Sequence, residues 1–261
     1  MLSGVTTGGD TARFVSWNVK GLNGPVKRAR IFAHLKKLKS EIIFLQETHL
    51  IIGDHLRLRR PWVGQIFHSN FSSKSRGVAI LLHKKVQFTA ADVISDPNGR
   101  YIIVSGSLFH TPVILVNVYA PNWDDEHFIK KIISNIPSLN SCHLIFGGDL
   151  NCLINPNLDG SNPASIPPLK MARALSAFMD QVGCIDPWRF QNPNKKTFSF
   201  YSHVHTDYFF IDKTLLPSVA TGQYRIFCNC GIRPCAINTR SVIQSLAETP
   251  PSVEAQLSST R

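Results

Sequence analysis

The stretch that decides the fold is His143-Leu144-Ile145-Phe146-Gly147-Gly148-Asp149-Leu150-Asn151. Its apolar run, Leu144 to Phe146, is typical of a strand that is buried on both faces. The two glycines that follow predict a sharp turn. Asp149 and Asn151 should project to the same side, because residues two positions apart do so in an extended chain. A carboxylate and an amide would then meet at the mouth of a sheet, where α/β folds usually place their chemistry. An ordinary Asx-rich turn after a core strand also explains these residues.

The composition predicts a globular protein with a basic surface. The 261 residues suffice for one large α/β domain or two small ones, and 43% of them are hydrophobic. The 28 Lys and Arg residues outnumber the 17 Asp and Glu residues, which gives a formal net charge of +11. Such an excess favours a polyanionic partner, with nucleic acid as the leading candidate, although many basic residues serve only solubility.

The amino-terminal segment, residues 1–13, is polar and rich in Gly and Thr, so it lacks the apolar core of a signal peptide. No apolar run is long enough to cross a membrane. The six cysteines do not form a secreted-type pattern, and Cys228, Cys230 and Cys235 lack a second pair at zinc-like spacing. We therefore expect a reduced, intracellular protein, in the nucleus, the cytoplasm or both, with no membrane partner.

Strand-like runs alternate with three amphipathic helices along the chain. The helices are expected to begin at Pro25, at the acidic residues 124–126 and shortly before Leu175, and the last two should end at Pro137 and Gly183. The predicted strands span residues 14–19, 42–45, 78–82, 86–88, 101–108, 113–119, 144–146, 197–201 and 208–211.

This order of elements predicts two mostly antiparallel sheets flanked by helices, which is a four-layer α/β sandwich. We assign it to a single domain, residues 13–237, because no Gly/Ser linker separates two cores. Residues 1–12 are expected to be a flexible N-terminus. Residues 238–261, which are rich in Ser, Thr, Pro and Glu, are expected to be a disordered tail.

Polar side chains recur at the carboxyl ends of separate predicted strands. They are Asn18, Glu47, Tyr119 with Asn122, and Asp149 with Asn151. Each alone has an ordinary explanation as a turn former or a solvated strand end. Together, they indicate a site in which oxygen ligands hold Mg²⁺ and amides hydrogen-bond a phosphate.

Four segments, in order, resemble the successive motifs of the endonuclease/exonuclease/phosphatase superfamily. They are Ser16-Trp17-Asn18-Val19-Lys20-Gly21-Leu22-Asn23, Leu45-Gln46-Glu47-Thr48-His49, Asn117-Val118-Tyr119-Ala120-Pro121-Asn122 and Gly147-Gly148-Asp149-Leu150-Asn151. Within the superfamily, the chain is most similar to the apurinic-type endonuclease domain of LINE-type (non-LTR) retrotransposons. The resemblance runs from about Arg13 to about Val219 and includes residues 72–81 and 215–217.

The resemblance implies Mg²⁺-dependent hydrolysis of a DNA phosphodiester that nicks one strand, with Mn²⁺ as an alternative metal and no small-molecule cofactor. By motif match, Glu47 would hold the metal, and Asn18 would contact metal-bound water or phosphate. Asp149 would orient or deprotonate the attacking water, and Asn151 would hold that water or the phosphate. Tyr119 would donate to the phosphoryl oxygens.

The resemblance also implies further site residues. Asp207 matches an acid that positions the metal and the leaving group, but Asp212 is a rival for this match because the local spacing is irregular. Thr197 falls where the family places a DNA-contacting residue, and Asn122 is assigned to DNA contact within its motif. Lys74 and Arg76 are DNA-binding candidates by charge alone. The solvated-surface interpretation fits these two residues equally well.

One departure from the family pattern concerns a closing Ser-Asp-His motif, whose His contacts the scissile phosphate. The residues at its expected place are Cys230-Gly231-Ile232, which carry no imidazole. Loss of such a group typically slows a reaction by about 10²–10⁴-fold. The sequence therefore implies an endonuclease with reduced activity, or alternatively a catalytically inactive DNA-binding remnant. A phosphatase of the same superfamily is a third, weaker interpretation.

Overall fold

The computed structural model of the chain describes residues 12–160, 169–195, 207–218, 221–223 and 240–242. The strand predicted at residues 197–201 lies outside these residues, as do the cysteines at 228, 230 and 235. The N-terminal segment 1–11 and most of the predicted tail also lie outside them.

The described residues form twelve strands, five α-helices and two 3₁₀ helices. The strands are β1 (Phe14–Asn18), β2 (Ile42–Gln46), β3 (Val63–Ser69), β4 (Val78–His83), β5 (Phe88–Ser95), β6 (Tyr101–Leu108), β7 (Thr111–Tyr119), β8 (His143–Asp149), β9 (Cys184–Ile185), β10 (Asp207–Asp212), β11 (Thr221–Gln223) and β12 (Arg240–Val242). The α-helices are α1 (Pro25–Lys37), α2 (Glu126–Asn135), α3 (Pro156–Asp159), α4 (Lys170–Gln181) and α5 (Pro187–Gln191), and the 3₁₀ helices are Asp54–Leu58 and Lys213–Ser218.

Two main sheets contain ten of these strands. The first sheet has the order β1-β2-β4-β3, the second has the order β5-β6-β7-β8-β10-β9, and β11 pairs separately with β12. Only β1–β2 and β7–β8 pair in parallel, and the other neighbours are antiparallel. The prediction of two mostly antiparallel sheets is therefore confirmed.

Three layers of apolar side chains separate four layers of secondary structure. The central layer joins the inner faces of the two sheets and includes Phe14, Phe44 and Ile145. Residues of α1 cover the outer face of the first sheet, and residues of α2 and α4 cover the outer face of the second. This is the predicted α/β sandwich.

Strand β8 shows directly why its apolar run is continuous. Leu144 and Phe146 belong to the outer layer of the second sheet, whereas Ile145 points into the layer between the sheets. Because successive side chains of a strand face opposite sides, both sides of β8 must be apolar.

Helix boundaries follow local signals in the sequence. Pro25 is the first residue of α1, where its missing N–H costs no hydrogen bond. The Asp125 side chain accepts a 3.0 Å hydrogen bond from the Phe128 N–H and caps α2. Gly183, with a φ of 66°, follows α4 and ends it. No helix among the described residues is long and apolar enough to span a membrane.

The structure differs from the sequence-based expectation at the sheet edges. Strand β3 was not predicted, because it is an edge strand with a register shift near Gly64 and no regular alternation of buried residues. The strand expected at residues 86–88 instead begins at Phe88 and runs to Ser95, with mostly exposed side chains. Both strands lie at a sheet edge and fully bury few of their side chains, so their sequences carry a weak hydrophobic pattern.

A buried polar bridge connects the two sheets. Asn117 of β7 donates hydrogen bonds from Nδ2 to the carbonyl oxygens of Leu45 (3.0 Å) and Ala79 (2.9 Å), in the opposite sheet. Its Oδ1 accepts a 2.7 Å hydrogen bond from Gln46, which also donates to Ser16 at 3.0 Å. Asn117 is fully buried, so these bonds fix how the sheets are placed against each other.

We predict that Asn117→Ala lowers the free energy of unfolding by about 2–4 kcal/mol, because it leaves buried donors and acceptors of the opposite sheet without partners. Urea unfolding measures this loss. Ser134→Ala, which removes an exposed hydrogen bond to the Lys131 carbonyl oxygen, is the control and should cost less than about 1 kcal/mol. Equal losses for the two variants would contradict the bridging role.

Candidate active site

Strand pairing brings the predicted site residues to one edge of the sandwich. In the first sheet, β1 and β2 run parallel, so that Asn18 lies beside Gln46, the residue that precedes Glu47. In the second sheet, β7 and β8 run parallel and Tyr119 pairs with Asp149. The carboxyl ends of four strands therefore meet at the same edge.

The glycines of the central stretch do not form the predicted sharp turn. Strand β8 continues through both of them to Asp149. Gly148 has a φ of 134°, and a Cβ atom there would overlap the carbonyl oxygen of Val118. A Cβ atom at Gly147 would lie 2.5 Å from the Phe209 ring. The two glycines allow the neighbouring strands β7 and β10 to approach β8 closely.

The Asn18 amide joins the two sheets at this edge. Its Nδ2 donates a 2.8 Å hydrogen bond to Glu47 Oε1 and another 2.8 Å hydrogen bond to Asp149 Oδ2. Its Oδ1 accepts from the Lys20 N–H at 3.1 Å. The nitrogen, and not the oxygen, of this amide thus faces the carboxylates. In this arrangement the Asn18 amide holds the two acids in place, and its predicted contact with the metal, metal-bound water or phosphate stays a prediction.

Glu47 has two further neighbours at the site. His49 Nε2 lies 3.2 Å from Glu47 Oε2, and both side chains are largely buried. Tyr119 lies near Glu47, and burial together with the Glu47 charge raises the pKa of the Tyr119 hydroxyl far above its usual value. Tyr119 therefore keeps its proton at physiological pH and can donate it in a hydrogen bond.

Asp149 and Asn151 are close together, but a turn brings them there rather than an extended strand. Asn151 has a φ of 47°, and its N–H donates a 3.1 Å hydrogen bond to Asp149 Oδ1. Its side chain donates from Nδ2 to the Ala120 carbonyl oxygen at 2.8 Å. The Asx-type turn and the polar constellation, which the sequence offered as alternatives, are both present.

Asp207 and Asp212 lie at opposite ends of β10. Asp207 pairs in register with Asp149 and so lies at the site edge. Asp212 lies at the far end, where its Oδ2 is 2.9 Å from His143 Nδ1 and its Oδ1 accepts from Thr214 Oγ1 at 2.7 Å. Of the two rivals, the structure brings only Asp207 to the other predicted acids.

The side chains at this edge fit a magnesium ion by their chemistry. Among the described residues, no three His, Cys, Asp or Glu side chains cluster as a complete metal cage. Mg²⁺ does not need one, because it usually binds one or two carboxylates and completes its shell with water and phosphate oxygens. Glu47 and Asp149, held by one amide, supply hard oxygen atoms of this kind.

Two arginines, Arg100 and Arg76, bring positive charge to this edge of the sandwich. Arg100 lies over the Tyr119 ring at 5.0 Å and donates to the Ala120 carbonyl oxygen at 3.2 Å. Burial and the nearby Arg76 lower the pKa of Arg100, while the charge of Glu47 opposes this effect. Arg100 and His49 were not assigned a role from the sequence, since only the folded chain shows their contacts.

The remaining predicted residues are less informative. Asn122 and Lys74 are exposed near this edge, and Arg76 is half-buried. Thr197 lies outside the described residues, as does the segment Cys230-Gly231-Ile232. Their predicted roles therefore stay predictions.

Comparison with known proteins identifies a matching family and solved structures with a similar fold. A family model described as "Endonuclease/Exonuclease/phosphatase family" matches residues 15–225. The AP endonuclease LMAP from Leishmania major has a similar structure, with a TM-score of 0.67 and 16% identity over 90% of this chain and 88% of that chain.

Two further solved structures share the fold. The Neisseria 3′ phosphatase NExo, bound to a product DNA hairpin, has a TM-score of 0.61 and 15% identity over 91% of this chain and 100% of that chain. The endonuclease domain of TRAS1, a telomere-specific non-LTR retrotransposon, has a TM-score of 0.57 and 13% identity over 90% and 98% of the two chains. At such identities, these likenesses establish the fold alone.

We predict that Gly148→Ala lowers the free energy of unfolding by about 3 kcal/mol or more, because the new methyl group overlaps the backbone of β7. Gly53→Ala is the matched control, since Gly53 also has a positive φ but open space around it. That variant should cost only about 1 kcal/mol of backbone strain. Urea unfolding compares the two, and similar losses would show that close strand approach is not the constraint.

Proposed function

The chain belongs to the endonuclease/exonuclease/phosphatase family, and from this premise we propose that it is a Mg²⁺-dependent DNA endonuclease of the retrotransposon type. One observation carries the proposal. The Asn18 amide holds Glu47 of one sheet and Asp149 of the other within 2.8 Å of the same nitrogen atom. This creates a compact acidic centre beside the phenol of Tyr119 and the guanidinium of Arg100.

Glu47 is the residue proposed to hold the metal. Its carboxylate is oriented by Asn18 at Oε1 and by His49 at Oε2. Mg²⁺ bound there would polarise a phosphoryl oxygen and neutralise charge on the leaving group. Asp207, at the same edge through its pairing with Asp149, is the acid proposed to help position the metal and the leaving group.

Asp149 is the proposed general base. It is 7% exposed, and it is held by the Asn18 side chain and the Asn151 backbone N–H. A carboxylate fixed in this way can orient a water molecule and accept its proton as the water attacks phosphorus. Asn151, anchored on the Ala120 carbonyl oxygen, is proposed to hold that water or the phosphate.

Tyr119 is proposed to stabilise charge on the phosphoryl oxygens. Its raised pKa keeps the hydroxyl protonated, so the hydroxyl can donate a hydrogen bond as negative charge develops. The neighbouring Arg100 adds a positive charge that is also oriented by backbone carbonyl oxygens.

DNA is the proposed substrate because the net charge of +11 favours a polyanion and basic side chains border the acidic centre. Asn122, Lys74, Arg76 and Thr197 are proposed DNA contacts. The DNA-bound NExo structure and the TRAS1 endonuclease domain, which share the fold, support this choice. A chain that acts on DNA would work inside the cell, in the nucleus or the cytoplasm.

We predict that the protein nicks supercoiled plasmid in the presence of Mg²⁺. Asp149→Asn should slow nicking by about 10²–10⁴-fold, because it removes the proton acceptor but keeps a similar shape. Agarose gel electrophoresis of relaxed and supercoiled plasmid measures the rate. His143→Asn, at the far end of β8, is the control and should leave the rate little changed.

Two companion assays, DNA binding and hydrolysis of a small phosphomonoester, distinguish the alternatives. DNA binding without nicking would favour the inactive remnant that Gly231 and Ile232 suggest. Hydrolysis of a small phosphomonoester in preference to plasmid would favour a phosphatase. Nicking that persists in Asp149→Asn would refute the proposed base.

We also predict that Glu47 and Asp149 respond differently to the metal concentration. Glu47→Gln should raise the Mg²⁺ concentration needed for half-maximal nicking by about tenfold or more, because a charged ligand is lost. Asp149→Asn should mainly lower the maximal rate. A titration of the nicking rate against the Mg²⁺ concentration, with EDTA as the zero point, measures the half-maximal concentration and the maximal rate. Identical metal dependence in the two variants would refute separate roles.

A further inference from the structure

Two exposed aromatic rings at the site edge each carry an arginine over their face. Trp123 is 56% exposed and Phe71 is 44% exposed. The Arg100 guanidinium carbon lies 5.5 Å from the Trp123 ring centroid, and that of Arg76 lies 4.4 Å from the Phe71 ring centroid. Among the described residues, the pairing of each exposed ring with an arginine distinguishes these two from the other exposed aromatic side chain, Phe190.

Trp123 is attached closely to the candidate active site. It follows β7, whose last residue is Tyr119, and Arg100 lies over the rings of both residues. Arg100 is itself fixed, because its Nη1 donates to the Ala120 carbonyl oxygen and its backbone carbonyl oxygen accepts from the Tyr119 N–H at 2.7 Å. The tryptophan is thus next to a rigid, positively charged support.

The segment that carries Phe71 and Arg76 is joined to the same support. The Gly77 N–H donates to the Gly99 carbonyl oxygen at 2.9 Å. Gly99 packs so closely on Phe71 that a Cβ atom there would lie 2.7 Å from Phe71 Cβ. Phe71, Arg76 and Arg100 therefore lie on two adjoining segments.

The two guanidinium groups lie near each other. They lie on the two adjoining segments, and burial, together with the charge of Arg76, lowers the pKa of Arg100. Like charges on adjoining segments favour an anion bound between or beside them. Phosphate is the anion that guanidinium groups bind best in nucleic acids, through paired N–H donors. The two rings supply the other half of a nucleotide site, since each keeps exposed apolar surface that a base could cover.

We propose that Trp123 and Phe71, with Arg100 and Arg76, form a platform that stacks unpaired bases of DNA beside the acidic centre. The proposal rests on the proposed function, because it names a feature of that substrate. A base can stack on a protein ring only where its face is accessible, as in a single strand, a gap or a flipped nucleotide. The platform would therefore favour DNA with unpaired bases near the cleaved bond over fully paired DNA.

Binding of two labelled DNAs to the full chain in EDTA tests the platform without cleavage. One DNA is a fully paired duplex, and the other has the same sequence with a short unpaired gap. Trp123→Ala should weaken binding of the gapped DNA by about 5- to 100-fold, with little change for the duplex. Phe71→Ala should act in the same direction, and Trp123→Phe should retain most of the affinity.

Tryptophan fluorescence gives a second readout. Gapped DNA should quench the wild-type emission, and Trp123→Phe should lose most of that quenching while it keeps the binding. Phe190→Ala, which removes an exposed ring on α5, is the control for loss of apolar surface. It should change the affinity for neither the duplex nor the gapped DNA. Equal weakening of both DNAs by Trp123→Ala, or none, would overturn the platform.

The outcomes separate this proposal from the proposed function. If Asp149→Asn abolishes nicking but Trp123→Ala leaves binding of gapped DNA unchanged, the platform fails and the endonuclease stands. If gapped DNA binds through Trp123 but no variant of the acidic centre affects nicking, the platform stands and the endonuclease assignment fails.

Discussion

The contact on which the site depends is the one between the Asn18 amide and two carboxylates. Glu47 and Asp149 come from different sheets, and each accepts a 2.8 Å hydrogen bond from the same nitrogen atom. Two acids held so closely repel each other, and the repulsion is strengthened because Asp149 is buried. The arrangement therefore favours positive charge nearby. Arg100 supplies part of it, and a bound divalent cation would supply more.

The core of the sandwich determines how the two acids can reach one amide. Asn117 hydrogen-bonds across the central layer to Leu45 and Gln46, which lie two residues and one residue before Glu47. On the other sheet, Gly148 allows β7 and β8 to lie close enough for Tyr119 to pair with Asp149. Since a shift of one residue would turn every side chain of a strand to the other face, these buried contacts fix the site as well as the fold.

The backbone of the site is held in conformations that are costly for ordinary residues. Glu47 and His49 each have a φ of 52°, in the left-handed region that favours glycine. Neighbouring segments hold them there: the Glu47 carbonyl oxygen accepts from the Gly21 N–H at 2.7 Å, and the His49 N–H donates to the Arg76 carbonyl oxygen at 2.9 Å. Such strain is typical of functional sites, and it is maintained here by segments distant in sequence.

The sequence by itself determined the element types and most of the acidic centre. The apolar run of β8 and the helix signals predicted the sandwich, and the ordered motifs placed Asn18, Glu47 and Asp149 at strand ends. Only the tertiary structure decided that the two glycines permit close strand approach instead of a turn. It also decided that Asp207, and not Asp212, lies at the site edge, and that arginines lie over exposed rings there. The reason is physical: local pattern reports which faces are buried, whereas register and side-chain contacts are set by pairing between distant segments.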